Sequence, residues 1–266
     1  MGLFSVPKRA LRKLKRTWVT WRQRDLVVLG SSSSEAFDYV MGRNSAYHPF
    51  WASGWSARGL RSPQMQHYIA RILAPLPRDA HVLLNFGVTD AVFNLRHKIA
   101  RDGHCDTELF ISEAVKGILL TVESLHQAGF TSVTPCFISP LVPLPDSYWM
   151  RENGNRPLPQ VPDAVTGPLY FEIYRRVSQH TGCIATFDEV SLGPEGFYML
   201  RPEFMRQRPN HHPHYILMQG VLKRKLAALS RLPAFRASPH RKHYGHAKHT
   251  ITELVATGVT RPRTCR

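Results

Sequence analysis

Two clusters of hydroxyl and imidazole side chains, far apart in the chain, carry the residue types best suited to chemistry. The first lies in LVVLGSSSSEAF (residues 26–37), where an apolar run stops at Gly30 and four serines, Ser31, Ser32, Ser33 and Ser34, follow. The second lies in RPNHHPHY (residues 208–215) and supplies His211, His212 and His214. A serine hydroxyl becomes a nucleophile when an imidazole within hydrogen-bond reach takes its proton. Acyl transfer also needs N–H or O–H donors where the carbonyl oxygen gathers charge. Residues suited to that second task stand in two further stretches. ASGWSARGL (52–60) brings Gly54, and LLNFGVTDAVFNLRH (83–97) brings Gly87, Thr89 and Asp90.

Plainer readings exist for each stretch. The serines can cap a helix and fill a loop. Asp90 can cap a helix beginning at Ala91. The histidines of 208–215 can form a surface loop or, less readily, a metal site, because His211, His212 and His214 cannot all face one ion unaided. Only the positions of the surrounding elements choose between these readings.

Those elements alternate. DLVVLG (25–30), YHPFWASG (47–54), AHVLLNFG (80–87), SVTPCFIS (132–139) and CIATFDEV (183–190) read as strands. Helical patterns occupy 33–42, 60–73, 107–129, 169–182 and 214–229. Residues 140–165 hold six prolines and read as a long loop or lid. Strand–helix alternation predicts an α/β fold: a three-layer α/β/α sandwich around a mostly parallel sheet of about five strands. In such sheets ligands bind beyond the carboxyl ends of the strands. Ser32, Gly54 and the 87–90 turn each follow a strand, so all three are expected on one edge.

Bulk properties narrow the function classes. The 266 residues are 43% hydrophobic, enough for a sizeable core. No apolar run reaches the length of a bilayer span, and the first residues do not read as a secretory signal. The four cysteines form no CxxC pair and no zinc-site spacing, so free thiols in a reducing, cytoplasmic setting are expected. Neither GxGxxG after the first strand nor GxxxxGK[ST] occurs, so no nucleotide cofactor is indicated, and no metal.

The net charge of +16 is unevenly distributed. Residues 1–24 carry eight Lys/Arg and no acid, and residues 221–266 carry eleven against one Glu. Residues 25–220 carry sixteen against eighteen acids, a net −2. The reading is a basic N-terminal arm (1–24), a near-neutral domain (25–230) and a basic, His-rich tail (231–266). Leu11, Leu14, Trp18 and Trp21 share one helical face inside the basic arm, which suits an anionic membrane surface, though packing on its own domain is equally consistent. His240, His243, His246 and His249, spaced every third residue among Lys and Arg, read as a solvated or anion-binding tail.

In their order the four stretches resemble the blocks of the SGNH (GDSL-like) hydrolase superfamily: strand-GDS, then a glycine, then GxND, then DxxH. FGVTD and GWSARGL are most similar to the blocks of bacterial SGNH-like proteins of polysaccharide gene clusters. The resemblance covers residues 25–220. It implies an SGNH/flavodoxin-like fold and an esterase or acyltransferase acting on acyl esters, such as O-acyl groups of a polysaccharide. It places Ser32 as nucleophile and oxyanion donor, Gly54 and Thr89 as further oxyanion donors, and His212, or nearly as well His211, as base. Gly30, Gly87 and Asp90 then support the site. The departures are Ser31 for the Asp of GDS, Thr89 for Asn, and Pro209 three residues before His212 where a carboxylate is expected. Asp188 or Glu203 would have to orient the imidazole instead. A fold that has lost catalysis and serves as a glycan binder or membrane scaffold is the alternative. Nucleic-acid binding through the arms is weaker, since the body shows no nucleic-acid module.

Overall fold

The computed structural model describes residues 24–42, 44–229, 231–235 and 246–258. The Leu/Trp arm, His240 and His243 lie outside the described residues. Five strands, β1 (Leu26–Gly30), β2 (Tyr47–Trp51), β3 (His81–Asn85), β4 (Ser132–Phe137) and β5 (Ile184–Ala185), form one sheet in the order β2-β1-β3-β4-β5. Every pairing is parallel. The α/β expectation is therefore met.

The three layers follow from the two-residue period of a strand. Val27, Leu29, Val82 and Leu84 point to one face, where they pack with α2 (Pro63–Leu73), α4 (Thr107–Gln127) and α6 (Asp163–Ser178). Leu26, Val28 and Leu83 point to the other and pack with α1 (Glu35–Met41) and α8 (Tyr215–Ala227). Strands buried on both faces read as unbroken apolar runs, which is why LVVL and VLL were legible.

Four elements differ from expectation. The proline-rich 140–165 segment contains α5 (Asp146–Glu152), whose Tyr148 and Trp149 are buried against the domain rather than hung over it as a lid. Helix α6 begins at Asp163, well before 169, and carries Pro168 as its sixth residue, where the missing N–H leaves one backbone hydrogen bond of the helix unmade. The fifth strand shrinks to Ile184–Ala185, and Phe187–Val190 turns helical as α7. Further short helices occupy α3 (Leu95–Asp102) and α9 (Ile251–Thr257).

That last helix corrects the reading of a solvated tail. His246 is fully buried, its Nε2 is 2.8 Å from Tyr68 Oη, and its ring meets Phe50 edge-on. Ile251 N donates to Ser53 O and Ser53 N donates to His249 O, which ties residues 249–251 to the loop after β2. Thr250 and Glu253 close a capping box at the start of α9, whose Leu254 is buried. At the other end of the domain, Arg24 is part of the fold, donating to Ser132 Oγ at 2.8 Å. Among the described residues no helix is long and apolar enough to cross a membrane.

Candidate active site

The four serines divide sharply. Ser31, Ser33 and Ser34 are buried, and Ser32 alone is partly exposed. The chain leaves β1 at Gly30 and turns at once into a short 3-10 helix, Ser32–Ser34, which runs on into α1. Gly30 has no room for a side chain: a Cβ there would lie 2.2 Å from Ser34 Oγ and 2.4 Å from the Asn85 carbonyl. The turn is therefore as tight as the backbone permits.

Asn85, at the carboxyl end of β3, holds the turn. With its amide oxygen toward the serines, it accepts from Ser33 Oγ (3.0 Å), Ser34 Oγ (2.9 Å) and Ser34 N (3.2 Å), and its nitrogen donates to the Cys136 carbonyl (3.1 Å). Ser31 Oγ lies 3.0 Å from Ser33 Oγ, so Ser31 joins this network. Ser32 is left outside it, with its hydroxyl facing the histidine loop. Ser32 Oγ and His212 Nε2 are 2.9 Å apart. The pair is separated in sequence by most of the domain, and only the parallel sheet brings its members together.

The loop that carries His212 is tied at its neck. His214 N donates to Phe204 O at 2.7 Å, and Arg206 Nε donates to Pro213 O at 3.1 Å. Within the loop Asn210 Oδ1 accepts from His212 N at 2.8 Å. His211 turns away from Ser32. Its backbone N–H donates to Tyr148 Oη (3.1 Å), and that hydroxyl lies 2.7 Å from His211 Nδ1. Its ring meets Phe93 edge-on and lies 4.1 Å, centroid to centroid, from that of His212. Burial, helped by the Arg206 charge, pushes the His211 pKa down to about 4, so the ring stays neutral. A neutral imidazole takes the tyrosine proton in a hydrogen bond while Oη accepts the backbone N–H. The structure thus separates two histidines that the sequence left nearly equivalent: His212 meets the serine, and His211 braces the loop.

Tyr148 and Trp149 come from α5, and Arg96 locks that helix down. The Arg96 guanidinium sits 4.8 Å from the Trp149 ring centroid and donates to the Val92 and Val161 carbonyls, each at 3.2 Å.

The expected oxyanion residues lie at the same edge of the sheet. Gly54 follows β2 with φ of 75°, a left-handed conformation that favours glycine, and open space surrounds it. Gly87 follows β3 with φ of 99° and abuts the Tyr170 ring. Thr89 is 7% exposed, and its hydroxyl makes no hydrogen bond to another described residue. Asp90 does not cap its own helix. Its carboxylate accepts from Ala57 N (2.6 Å) and Arg58 N (3.2 Å), capping the short helix Arg58–Arg61 across the crevice. Burial raises its pKa to about 6 against the opposing pull of these N–H groups. Asp90 therefore fixes the loop after β2, which contains Gly54, to the turn that contains Thr89.

The two carboxylates considered as orienting acids are engaged elsewhere. Asp188 pairs with Lys225 (2.7 Å) and Glu203 with Arg201 (2.8 Å). No group of metal-ligating side chains occurs among the described residues.

Sequence reasoning missed Asn85, Tyr148 and Asn210. Asn85 had a signal, a polar residue closing the clearest apolar strand. Tyr148 had none, since it sits in a segment read as loop.

Neither a family model nor a curated protein sequence matches the chain. One solved crystal structure aligns with 79% of this chain and 99% of its own at 8% identity, with a TM-score of 0.45.

Proposed function

We propose that the protein is an SGNH-like serine esterase or acyltransferase whose working pair is Ser32 and His212. The observation that carries this reading is the 2.9 Å approach of Ser32 Oγ to His212 Nε2, made by the one partly exposed serine of four. In the proposed step His212 Nε2 takes the Ser32 proton while Oγ bonds the acyl carbon. The proton then passes to the departing alkoxide oxygen, leaving acyl-Ser32. Water, or the hydroxyl of an acceptor in a transfer reaction, repeats the sequence and frees the serine. The developing oxyanion would be met by the N–H groups at the start of the Ser32–Ser34 helix, which lack intrahelical acceptors, with the Gly54 N–H and the Thr89 hydroxyl. O-acyl groups of a polysaccharide are the substrate class the family resemblance suggests, and the basic arms suit an anionic membrane surface near such a substrate.

The reading is tested by turnover of 4-nitrophenyl acetate and acetylated sugars by wild type and Ser32→Ala. Hydrolysis above buffer rate that disappears in the variant supports it. Three departures favour a second reading, a binding fold without catalysis: Ser31, Thr89 and Pro209 stand where Asp, Asn and Asp are expected. Buffer-rate hydrolysis by correctly folded wild type would select that reading.

A further inference from the structure

The loop that holds His212 also holds Arg206, a cation that meets no carboxylate among the described residues. Arg206 is half-buried, its Nε is fixed by the Pro213 carbonyl, and its guanidinium lies 5.1 Å from the Tyr215 ring centroid. No carboxylate among the described residues pairs with it. Of the acids near Tyr215, Asp38 accepts from Tyr47 Oη and Trp51 Nε1, and Glu35 is buried and forms no ion pair with Arg206 among the described residues. Every other arginine in contact with the candidate site is used structurally: Arg58 binds Glu113, and Arg96 is bound to carbonyls.

Arg206 lines a cavity of about 280 Å³ with Tyr39, Gln207, His214, Tyr215 and Ile216. The cavity lies one side chain away from the proposed base: Tyr215 lines it, and the Tyr215 ring centroid is 5.9 Å from that of His212. Two polar atoms of its wall, His214 Nδ1 and Tyr215 Oη, are buried without a hydrogen-bond partner. Such atoms cost stability unless a water or ligand meets them. The wall also includes the first turn of α8, which holds no acidic side chain to offset its positive end.

A guanidinium held on an aromatic face by its Nε keeps its two terminal NH2 groups free for a planar or tetrahedral anion. We infer that this cavity is a substrate subsite for an anionic group, a carboxylate or phosphate carried by the ester substrate, with Arg206 as the residue that selects it. The inference rests on the esterase reading for its place beside the reacting centre. It narrows the substrate class to acidic acyl esters, such as an O-acylated uronic acid or sugar phosphate.

Binding separates the two claims. Calorimetric titration of Ser32→Ala protein with glucose, glucuronate and glucose 6-phosphate needs no catalysis. The expected result is binding of one or both anionic sugars at least tenfold tighter than glucose, lost in Ser32→Ala/Arg206→Ala and partly kept in Ser32→Ala/Arg206→Lys. Preference for glucuronate identifies a carboxylate subsite, and preference for glucose 6-phosphate a phosphate subsite. Equal binding of all three sugars, or an anion preference that survives Arg206→Ala in protein of unchanged thermal stability, overturns the inference. In the active enzyme, the ratio of kcat/KM for acetylated glucuronate over acetylated glucose should fall at least tenfold in Arg206→Ala. An inactive wild type that still binds glucuronate through Arg206 would sink the esterase reading and leave the subsite standing.

Discussion

Two histidine-rich segments, 208–215 and 240–249, look alike in sequence and are put to different uses. In both, a histidine is held against a tyrosine hydroxyl: the half-buried His211 on Tyr148 and the buried His246 on Tyr68. Burial lowers both to about pKa 4, so both are neutral struts at ordinary pH. The first segment differs by one residue. His212 projects from a loop tied at both ends and meets a serine at the carboxyl edge of the sheet. Histidine content therefore says little; the partner and its position on the sheet say most. In the proposed reading, a histidine held on a tyrosine braces structure, and one held on a half-exposed serine beside a helix start is placed for proton transfer.

Substitutions sharpen this contrast. The largest difference is expected between the neighbours. His212→Ala should lower ester turnover by about 10²- to 10⁴-fold, the usual worth of a general base. His211→Phe keeps an aromatic ring against Phe93 and should cost far less in turnover while lowering the melting temperature. Equal losses in steady-state kinetics would erase the distinction between strut and base.

Next in size is the oxyanion. Thr89→Ala should reduce kcat by roughly 10- to 10³-fold if its hydroxyl donates to the transition state, and Thr89→Asn should restore part of that loss or exceed wild type. An unchanged kcat in Thr89→Ala would assign donation to backbone N–H groups alone.

The smallest effect on activity, and a clear one on stability, concerns His246. Its folded pKa lies near 4, below the usual 6.5, so the unfolded chain takes up the proton first as pH falls. Its contribution is therefore complete above pH 6.5 and is lost as pH falls through about 4, amounting to roughly 3 kcal/mol. His246→Gln, which does not titrate, should flatten the fall in unfolding free energy between pH 7 and 4 measured by denaturant titration. A fall as steep as in wild type would mean that His246 is not the titrating strut.

Much of the fold was legible because its signals are local. LVVL and HVLLN are unbroken apolar strands, and the TELFISEAVKGILL helix has its Asp106 cap and a glycine stop. Elements set by tertiary packing were not: α5 is a short helix among prolines held by Arg96, and the 246–258 segment is anchored by a bridge to Ser53 that no periodicity announces. The candidate site followed the same rule. Ser32 was legible from the strand–glycine–serine order. His212 stood only slightly ahead of His211 in the sequence, because what parts them depends on Tyr148, distant in the chain. Asp90 was legible as a cap, but which helix it caps depends on how the sheet places the loop after β2.

The central claim is that Ser32 is an activated nucleophile. A fluorophosphonate probe reacts only where a serine hydroxyl is activated beside an oxyanion site, and the labelled peptide can be identified by mass spectrometry. Labelling at Ser32 that is absent in Ser32→Ala and slowed by orders of magnitude in His212→Ala is the result expected here. Unlabelled Ser32 in correctly folded wild-type protein, or labelling at another serine, would contradict it.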